Sequence, residues 1–142
     1  MIYNPLQLLE FCKTLSKQTN TRNMETNTRV ILSRAYYSAF LHSREYLKEK
    51  YNVRFSGDGS DHVHVERELK ACIRQPDNRL FSSIMREMRE NRCAADYDLN
   101  SPATAISRFS AVSVRKRQLS FDLTTQVNTI QKAEYVTSNL QR

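Results

Sequence analysis

Residues Thr28–Tyr51 read TRVILSRAYYSAFLHSREYLKEKY. Apolar and aromatic side chains recur there at steps of three, four and seven residues, at Val30, Tyr37, Phe40, Leu41, Leu47 and Tyr51. Because an α-helix turns about 100° per residue, these positions share one face. The stretch therefore predicts one long amphipathic helix, and it indicates that the protein is built from helices.

Four further segments show helical spacing or the residues that start and stop helices. Asn4 and Pro5 are typical of a helix start, and the polar stretch 16–28 is predicted to be a loop or a frayed helix end. The other helices are predicted from Asn4 to about Leu15, from Ser60 or Asp61 to about Cys72, from Arg79 to about Ala95, and from about Ala103 to Leu140 with a kink allowed. Their short connections predict an all-α, up-and-down bundle of four to five helices, forming a single domain over 1–142.

The composition excludes several other fold classes. Only two of the 142 residues are glycine, whereas average usage is about 7%. All-β sandwiches and barrels need many glycine-bearing turns, and Rossmann and P-loop folds need a glycine-rich phosphate loop. Both glycines lie in Gly57–Asp58–Gly59, which is interpreted as a turn.

The chain is basic, with 22 Lys and Arg against 15 Asp and Glu, a net charge of +7 and a pI of about 9.5. Its densest basic run is Arg115–Lys116–Arg117. These three residues and Arg89 are candidate contacts to an RNA phosphate backbone, although a solvated helix face explains the run equally well. No base-reading motif accompanies them, so any such binding is expected to depend little on sequence.

Other functional classes find no support in the sequence. No apolar run approaches the roughly 20 residues that span a bilayer, and no signal peptide is recognisable, so a soluble cytoplasmic protein without a membrane partner is expected. Cys12, Cys72 and Cys93 are far apart and form no C-x-x-C pair, which argues against a zinc site or a disulfide framework. We expect no cofactor and no bound metal.

Arg92 is the most unusual residue of the fourth predicted helix. On an ideal helix it falls, with Asn91, inside the apolar arc of about 140° that runs from Leu80 to Met85, whereas Arg86 falls well outside and is expected at the surface. A charge on a buried face needs a partner or a function, unless the side chain snorkels to water. Asp96 lies four residues further on, where it could pair with Arg92.

Helix two carries polar residues on its apolar side as well. Ser33 and Arg44 fall inside the arc of Tyr37, Phe40 and Leu41, which indicates an internal hydrogen-bonded network. The stretch SRAYYSAF at 33–40, followed by RCAADYD at 92–98, resembles the HEPN superfamily, the higher-eukaryote and prokaryote nucleotide-binding domains. The likeness covers about Thr28 to Leu99 and is closest to small stand-alone prokaryotic members.

The resemblance implies a helical bundle that dimerises side by side, and many members are metal-independent endoribonucleases. Their motif arginine and a histidine, with four to six residues between the two, line a cleft at the dimer interface. Arg92 matches that arginine, but Tyr97 stands where many members have histidine, and Cys93 replaces the usual asparagine. The catalytic candidates are therefore Arg92, Asp96 and Tyr97, with Asp96 as a conceivable base and Tyr97 as a hydrogen-bond donor.

The three histidines all precede Arg92 in the chain. His42 is interpreted as a packing or surface residue. His62 and His64 flank Val63 at the start of the third helix, where they are most simply exposed; H-x-H can bind a metal, but no third ligand accompanies it. Alternatively, one of them reaches Arg92 and substitutes for the missing motif histidine.

Two functions follow from the resemblance. The first is an RNA-acting, homodimeric HEPN protein, a metal-independent endoribonuclease that serves as the toxin or effector of a toxin–antitoxin or phage-defence system. A small nucleotidyltransferase antitoxin would be its partner. The alternative is a catalytically inactive HEPN module, an adaptor that binds nucleotides or another protein.

Overall fold

Five α-helices make up most of the part of the chain that the structure, a computed structural model, describes: residues 3–18, 21–107 and 115–141. They are α1 (Leu6–Ser16), α2 (Met24–Tyr51), α3 (Asp61–Cys72), α4 (Asp77–Tyr97) and α5 (Leu123–Asn139), and a 3-10 turn, Thr21–Asn23, precedes α2. The predicted all-α bundle is confirmed. None of the helices in these ranges is long and apolar enough to cross a membrane.

α2 is the central helix, and it packs against each of the other four. Because it has neighbours on several sides, its buried arc is wider than a single stripe, and it includes Ile31, Leu32, Ala35, Tyr36, Ala39 and Leu47. Val30 and Tyr51, which were predicted on the apolar face, are 36% and 37% exposed. The predicted stripe therefore lies along the edge of the true buried face.

α2 begins four residues before the predicted start at Thr28. The Thr28 hydroxyl donates to the backbone carbonyl of Met24 and accepts from the amide of Gln126 on α5, so it is buried inside the helix instead of capping it. The helix ends at Tyr51, as predicted, because Asn52 adopts the left-handed conformation (φ 55°) common at helix ends.

The prediction of a helix starting near Ala103 is wrong in its first half. Residues Ala103–Ser107 (β1) and Arg115–Leu119 (β2) form an antiparallel pair, with Ala103 opposite Leu119 and Ser107 opposite Arg115. Ala103 and Ala105 are buried on either side of the half-buried Thr104, which is the two-residue period of a strand. Apolar residues at helical spacing within 103–119 masked this alternation.

The two strands form a small second core against the end of α4. Its buried members are Leu32, Ala94, Ala95, Ala103, Ala105, Leu119 and Phe121. After β2 the chain enters α5 through Asp122, whose carboxylate accepts from the backbone N–H of Thr125 at 2.9 Å and caps the helix. The strands thereby cover the α4 segment that follows Arg92.

Arg29 of α2 is hydrogen-bonded to the backbone at the end of α4. Its guanidinium donates to the backbone carbonyl oxygens of Ala95 at 2.8 Å, Asp98 at 2.6 Å and Asn100 at 3.1 Å, and it lies 4.1 Å from the centre of the Phe121 ring. One cation therefore satisfies carbonyls that the helix itself leaves without partners.

We expect Arg29→Met to lower the free energy of unfolding by about 2–4 kcal/mol, because the substitution removes several hydrogen bonds to a charged donor and leaves carbonyls unpaired. Urea unfolding followed by circular dichroism measures this change. Lys70→Met, at an exposed position on α3, is the control and should change stability by less than about 0.5 kcal/mol. An equal effect of both substitutions would contradict the role of Arg29.

Candidate active site

Arg92 points into the contact between α4 and α2. Its side chain is 11% exposed, one terminal nitrogen lies 3.5 Å from an Asp96 carboxylate oxygen, and its guanidinium carbon lies 5.6 Å and 5.5 Å from the ring centres of Tyr36 and Tyr37. The predicted inward orientation and the predicted pairing with Asp96 are confirmed.

The prediction for the rest of this helix face is less accurate. Arg86 is half-buried and not at the open surface, and Leu80 is 46% exposed. The reason is that the buried arc of α4 is centred on Phe81, Met85 and Met88, so Leu80 lies at its margin.

The buried guanidinium of Arg92 is incompletely satisfied. Its Nε is buried and has no hydrogen-bond partner among the residues that the structure describes, and the 3.5 Å contact with Asp96 exceeds the usual length of about 2.7–2.9 Å for a charge-assisted hydrogen bond. Burying a cation is unfavourable unless it is fully paired. The Arg92 guanidinium is therefore held by one long contact with a carboxylate, and its Nε is left without a partner in the described residues.

Ser33 and Arg34 extend the polar network from α2. The Ser33 hydroxyl donates to the Asp96 carboxylate at 3.4 Å, and Arg34 donates to the Ser33 oxygen at 2.9 Å. The Arg34 guanidinium also lies 4.8 Å from the Tyr37 ring centre, so two guanidinium groups contact this ring. The internal network predicted for Ser33 is confirmed, and Asp96 is engaged by both Arg92 and Ser33.

His62 lies on the same tyrosine pair as Arg92. It is half-buried in the first turn of α3, its ring centre is 4.2 Å from that of Phe40, and its Nδ1 is 2.8 Å from the Tyr36 hydroxyl oxygen. The ring centre of Tyr37 is 5.8 Å away. Tyr36, Tyr37, Phe40 and His62 together are called the aromatic cluster below. His64 instead contacts Phe55 and Glu68.

The surroundings of His62 favour its neutral form. Burial lowers the pKa of the imidazole below its ordinary value near 6.5, and the positive charges of Arg92 and Arg89 lower it further. Asp61 opposes this effect, but does not outweigh it. His62 is therefore uncharged at neutral pH, the state in which an imidazole can accept a proton.

This pKa shift predicts how stability depends on pH. Since unfolded His62 titrates near 6.5 and folded His62 below that, the unfolded chain binds more protons between the two values. The contribution of His62 to stability is therefore complete above about pH 6.5 and is lost as the pH falls through the folded pKa. The melting temperature should fall more between pH 7 and 5 for wild type than for His62→Asn. Identical slopes would contradict the shift.

Arg89 joins α4 to α3 through an ion pair. Its Nε donates to Glu66 at 2.5 Å, and a second nitrogen lies 3.4 Å from the other carboxylate oxygen. Burial raises the pKa of the Glu66 carboxyl, and the hydrogen bond from Arg89 opposes that rise. Arg89, which was predicted to contact RNA, is thus paired with Glu66. It also lines a cleft.

That cleft has a volume of about 560 Å³ and holds Tyr97, which is 75% exposed. Its other lining residues include Arg89, Cys93, Asp98 and Thr104. Of the three predicted catalytic residues, the structure brings Arg92 and Asp96 together and places Tyr97 at the neighbouring edge of α4.

The predicted basic run lies in β2 and not on a helix. Arg117 donates to Asn91 and lies 3.1 Å from Glu87, so its charge is paired within the fold. The side chains of Arg115 and Lys116 lie outside the described part of the structure. Arg117 is therefore a weaker candidate for an RNA contact than its position in the sequence implied.

The sequence placed Tyr37 and Phe40 on the apolar face of the helix and predicted no part in the site for them or for Tyr36, although these rings lie between Arg92 and His62. A signal was present in the consecutive tyrosines next to Arg34 on a helix whose face already carried Ser33. Within the described ranges, no group of three or more His, Cys, Asp or Glu side chains could hold a metal ion.

Comparisons with models of known protein families, with curated proteins and with solved structures find no match to this chain.

Proposed function

We propose that this protein cleaves RNA as a HEPN-type, metal-independent endoribonuclease, with Arg92 and His62 at the reactive centre. One observation carries the proposal: an incompletely paired, buried guanidinium and a neutral, half-buried imidazole converge on the same two tyrosines. A cation for the phosphate and a base for the ribose are the two groups that this reaction needs.

Arg92 holds the scissile phosphate. Its terminal nitrogens, one of which lies 3.5 Å from Asp96, can donate to phosphate oxygens with the planar geometry that arginine offers. Negative charge accumulates on those oxygens as the 2′-oxygen attacks phosphorus. A cation fixed in a poorly hydrated position stabilises that charge more strongly than one in water.

His62 removes the proton from the ribose 2′-hydroxyl. In the tautomer that serves as a base, Nδ1–H donates to the Tyr36 oxygen and the lone pair of Nε2 is free. The 2′-oxygen then bonds to phosphorus as the bond from phosphorus to the 5′-oxygen breaks. The 5′-oxygen takes a proton from water and leaves as a hydroxyl, and the His62 imidazolium returns its proton to the solvent. The products are a 2′,3′-cyclic phosphate and a 5′-hydroxyl end.

The oligomeric state and partners belong to the same proposal. A homodimer is supported by large exposed side chains at the C-terminal end of α4 and just after it: Tyr97, which lines the 560 Å³ cleft, is 75% exposed and Leu99 is 92% exposed. In a toxin–antitoxin setting, a nucleotidyltransferase antitoxin would restrain the enzyme. Tyr97 would donate a hydrogen bond to the RNA in the cleft.

The test is cleavage of a fluorescent single-stranded RNA by purified protein in the presence of EDTA. We expect fragments that end in a 2′,3′-cyclic phosphate, identified by mass spectrometry. Lys50→Gln, which removes a cation from the exposed end of α2, is the matched control and should cleave at the wild-type rate. No cleavage by folded wild-type protein would refute the nuclease proposal.

A second candidate function is the non-catalytic HEPN adaptor. It is favoured by the ion pair between Arg92 and Asp96 and by the hydrogen bond from Ser33 to Asp96, which together resemble a structural network. In this case Tyr97 packs at the dimer seam. RNA or nucleotide binding without any cleavage would support the adaptor over the enzyme.

A further inference from the structure

A second cleft, of about 600 Å³, opens on the side of the aromatic cluster that lies towards the end of α2. It is formed by the last turns of α2, the loop after it and the start of α3, and its lining includes Arg44, Lys48, Asn52, Arg54, Phe55 and Asp61. Its volume is in the range of about 300–1,000 Å³ that is typical of sites for small organic ligands.

The cleft carries excess positive charge. Asp61 is the acidic residue of its lining, and its two oxygens already accept the backbone N–H groups of Ser56 and Gly57, each at 2.9 Å. Lys48 is paired with Glu45 at 3.1 Å, whereas Arg54 is exposed. The cleft therefore offers positively charged side chains to a ligand, while the carboxylate that lines it is already hydrogen-bonded to the backbone.

Arg44 connects this cleft to the reactive centre. Its guanidinium carbon lies 5.5 Å from the Phe40 ring centre, and the Phe40 ring centre lies 4.2 Å from that of His62, with the two rings tilted by 31°. Its Nε is buried without a hydrogen-bond partner in the described residues, and the nearest carboxylate, that of Glu45, is 3.6 Å away. The Arg44 side chain as a whole is 29% exposed and lines the cleft.

We propose that this cleft binds a second nucleotide of the same single-stranded RNA, with its phosphate held by Arg44 and Arg54. This inference rests on the proposed function and names the subsite that positions the strand for cleavage between Arg92 and His62.

The dimensions and the chemistry of the cleft fit a strand. α2 rises about 1.5 Å per residue, so Arg34 beside the reactive centre and Arg44 are about 15 Å apart, which a strand of a few nucleotides spans. Phe55 lines the cleft and offers an aromatic surface for a base, the usual platform in sequence-tolerant binding of single strands.

The experiment measures binding and cleavage separately. Binding is followed by fluorescence anisotropy with an uncleavable 2′-O-methyl octanucleotide, and cleavage with an RNA octanucleotide and an RNA dinucleotide. Arg44→Gln/Arg54→Gln should weaken octanucleotide binding about tenfold or more. It should also reduce the slope of log K against log salt by about 0.7 for each phosphate that the variant no longer neutralises. Its turnover of the dinucleotide should fall much less than its turnover of the octanucleotide, because the dinucleotide does not reach the subsite.

Two further variants serve as controls for the binding measurement. Arg67→Gln/Lys70→Gln removes the same charge from exposed positions of α3 and should bind the octanucleotide like wild type. Arg54→Gln alone removes an exposed side chain, so its effect on binding cannot arise from a disrupted core.

The outcomes separate the subsite from the nuclease. If the Arg44/Arg54 variant fails to bind the octanucleotide that wild type binds, and wild type cleaves nothing, the subsite is supported and the enzyme refuted. Wild-type affinity in that variant, or no octanucleotide binding by wild type, would overturn the subsite. Equal reductions in turnover of the octanucleotide and the dinucleotide would overturn it too, since the cations would then act at the reactive centre.

Discussion

Arg92→Gln should lower kcat/KM for RNA cleavage by about a hundredfold to a thousandfold, the usual effect of removing one preorganised group that stabilises transition-state charge. Glutamine retains hydrogen-bonding capacity but carries no charge, so the phosphate loses the cation that is held 11% exposed against Tyr36 and Tyr37. The measurement is the initial rate on a fluorescent RNA in EDTA, over a range of substrate concentrations.

Two variants show whether this loss arises at the phosphate or in the fold. Arg79→Gln, at an exposed position in the first turn of the same helix, should cleave like wild type. Arg92→Lys keeps the charge but loses the planar fork, so it should recover only part of the rate. The proposal is wrong if Arg92→Gln melts like wild type and cleaves at an unchanged rate.

The sequence was sufficient for the part of this site that lies on one helix. The 3.6-residue period placed Arg92 on the buried face of α4, and the spacing of four residues placed Asp96 next to it. The same logic placed Ser33 on the inner face of α2. Such predictions succeed because the relevant neighbours are fixed by the geometry of a single helix.

The aromatic platform required contacts between distant parts of the chain. His62 meets Tyr36 across 26 positions of sequence, after a turn and at the start of another helix, so no local period connects them. The sequence offered His62 and His64 equally, and only the packing of α3 on α2 directs one ring to Tyr36 and the other to Phe55.

The two strands, 103–107 and 115–119, were mispredicted for a different reason. The apolar residues of this region fit helical spacing, but Ala103 and Ala105, two positions apart in a strand, are both buried in the small core with Ala94, Ala95 and Leu32. Short apolar runs do not distinguish the two periods, and tertiary packing decides between them. The run Arg115–Lys116–Arg117 therefore lies in a strand and not on a helix, and its contact with RNA stays a prediction.

His62→Asn should reduce kcat by about a hundredfold to ten-thousandfold, the range over which a positioned acid or base contributes to proton transfer. Asparagine can still hydrogen-bond to the Tyr36 hydroxyl, so the platform is retained while the titrating group is removed. His64→Asn is the matched control, because His64 lies two residues away and contacts Phe55 and Glu68 instead. It should cleave within twofold of the wild-type rate.

The pH profile distinguishes a base from a merely structural histidine. Burial and the charges of Arg92 and Arg89 hold the pKa of His62 below its ordinary value. The wild-type rate should therefore fall only when the pH drops below about 6.5, as the imidazole becomes protonated and can no longer accept a proton. This acidic limb should be absent from the residual activity of His62→Asn. Tyr36→Phe, which removes the partner that orients the ring, should keep the limb but lower the plateau about tenfold. An acidic limb that persists unchanged in His62→Asn would assign the titration to another group, and His62 would then serve only to pack α3 against α2.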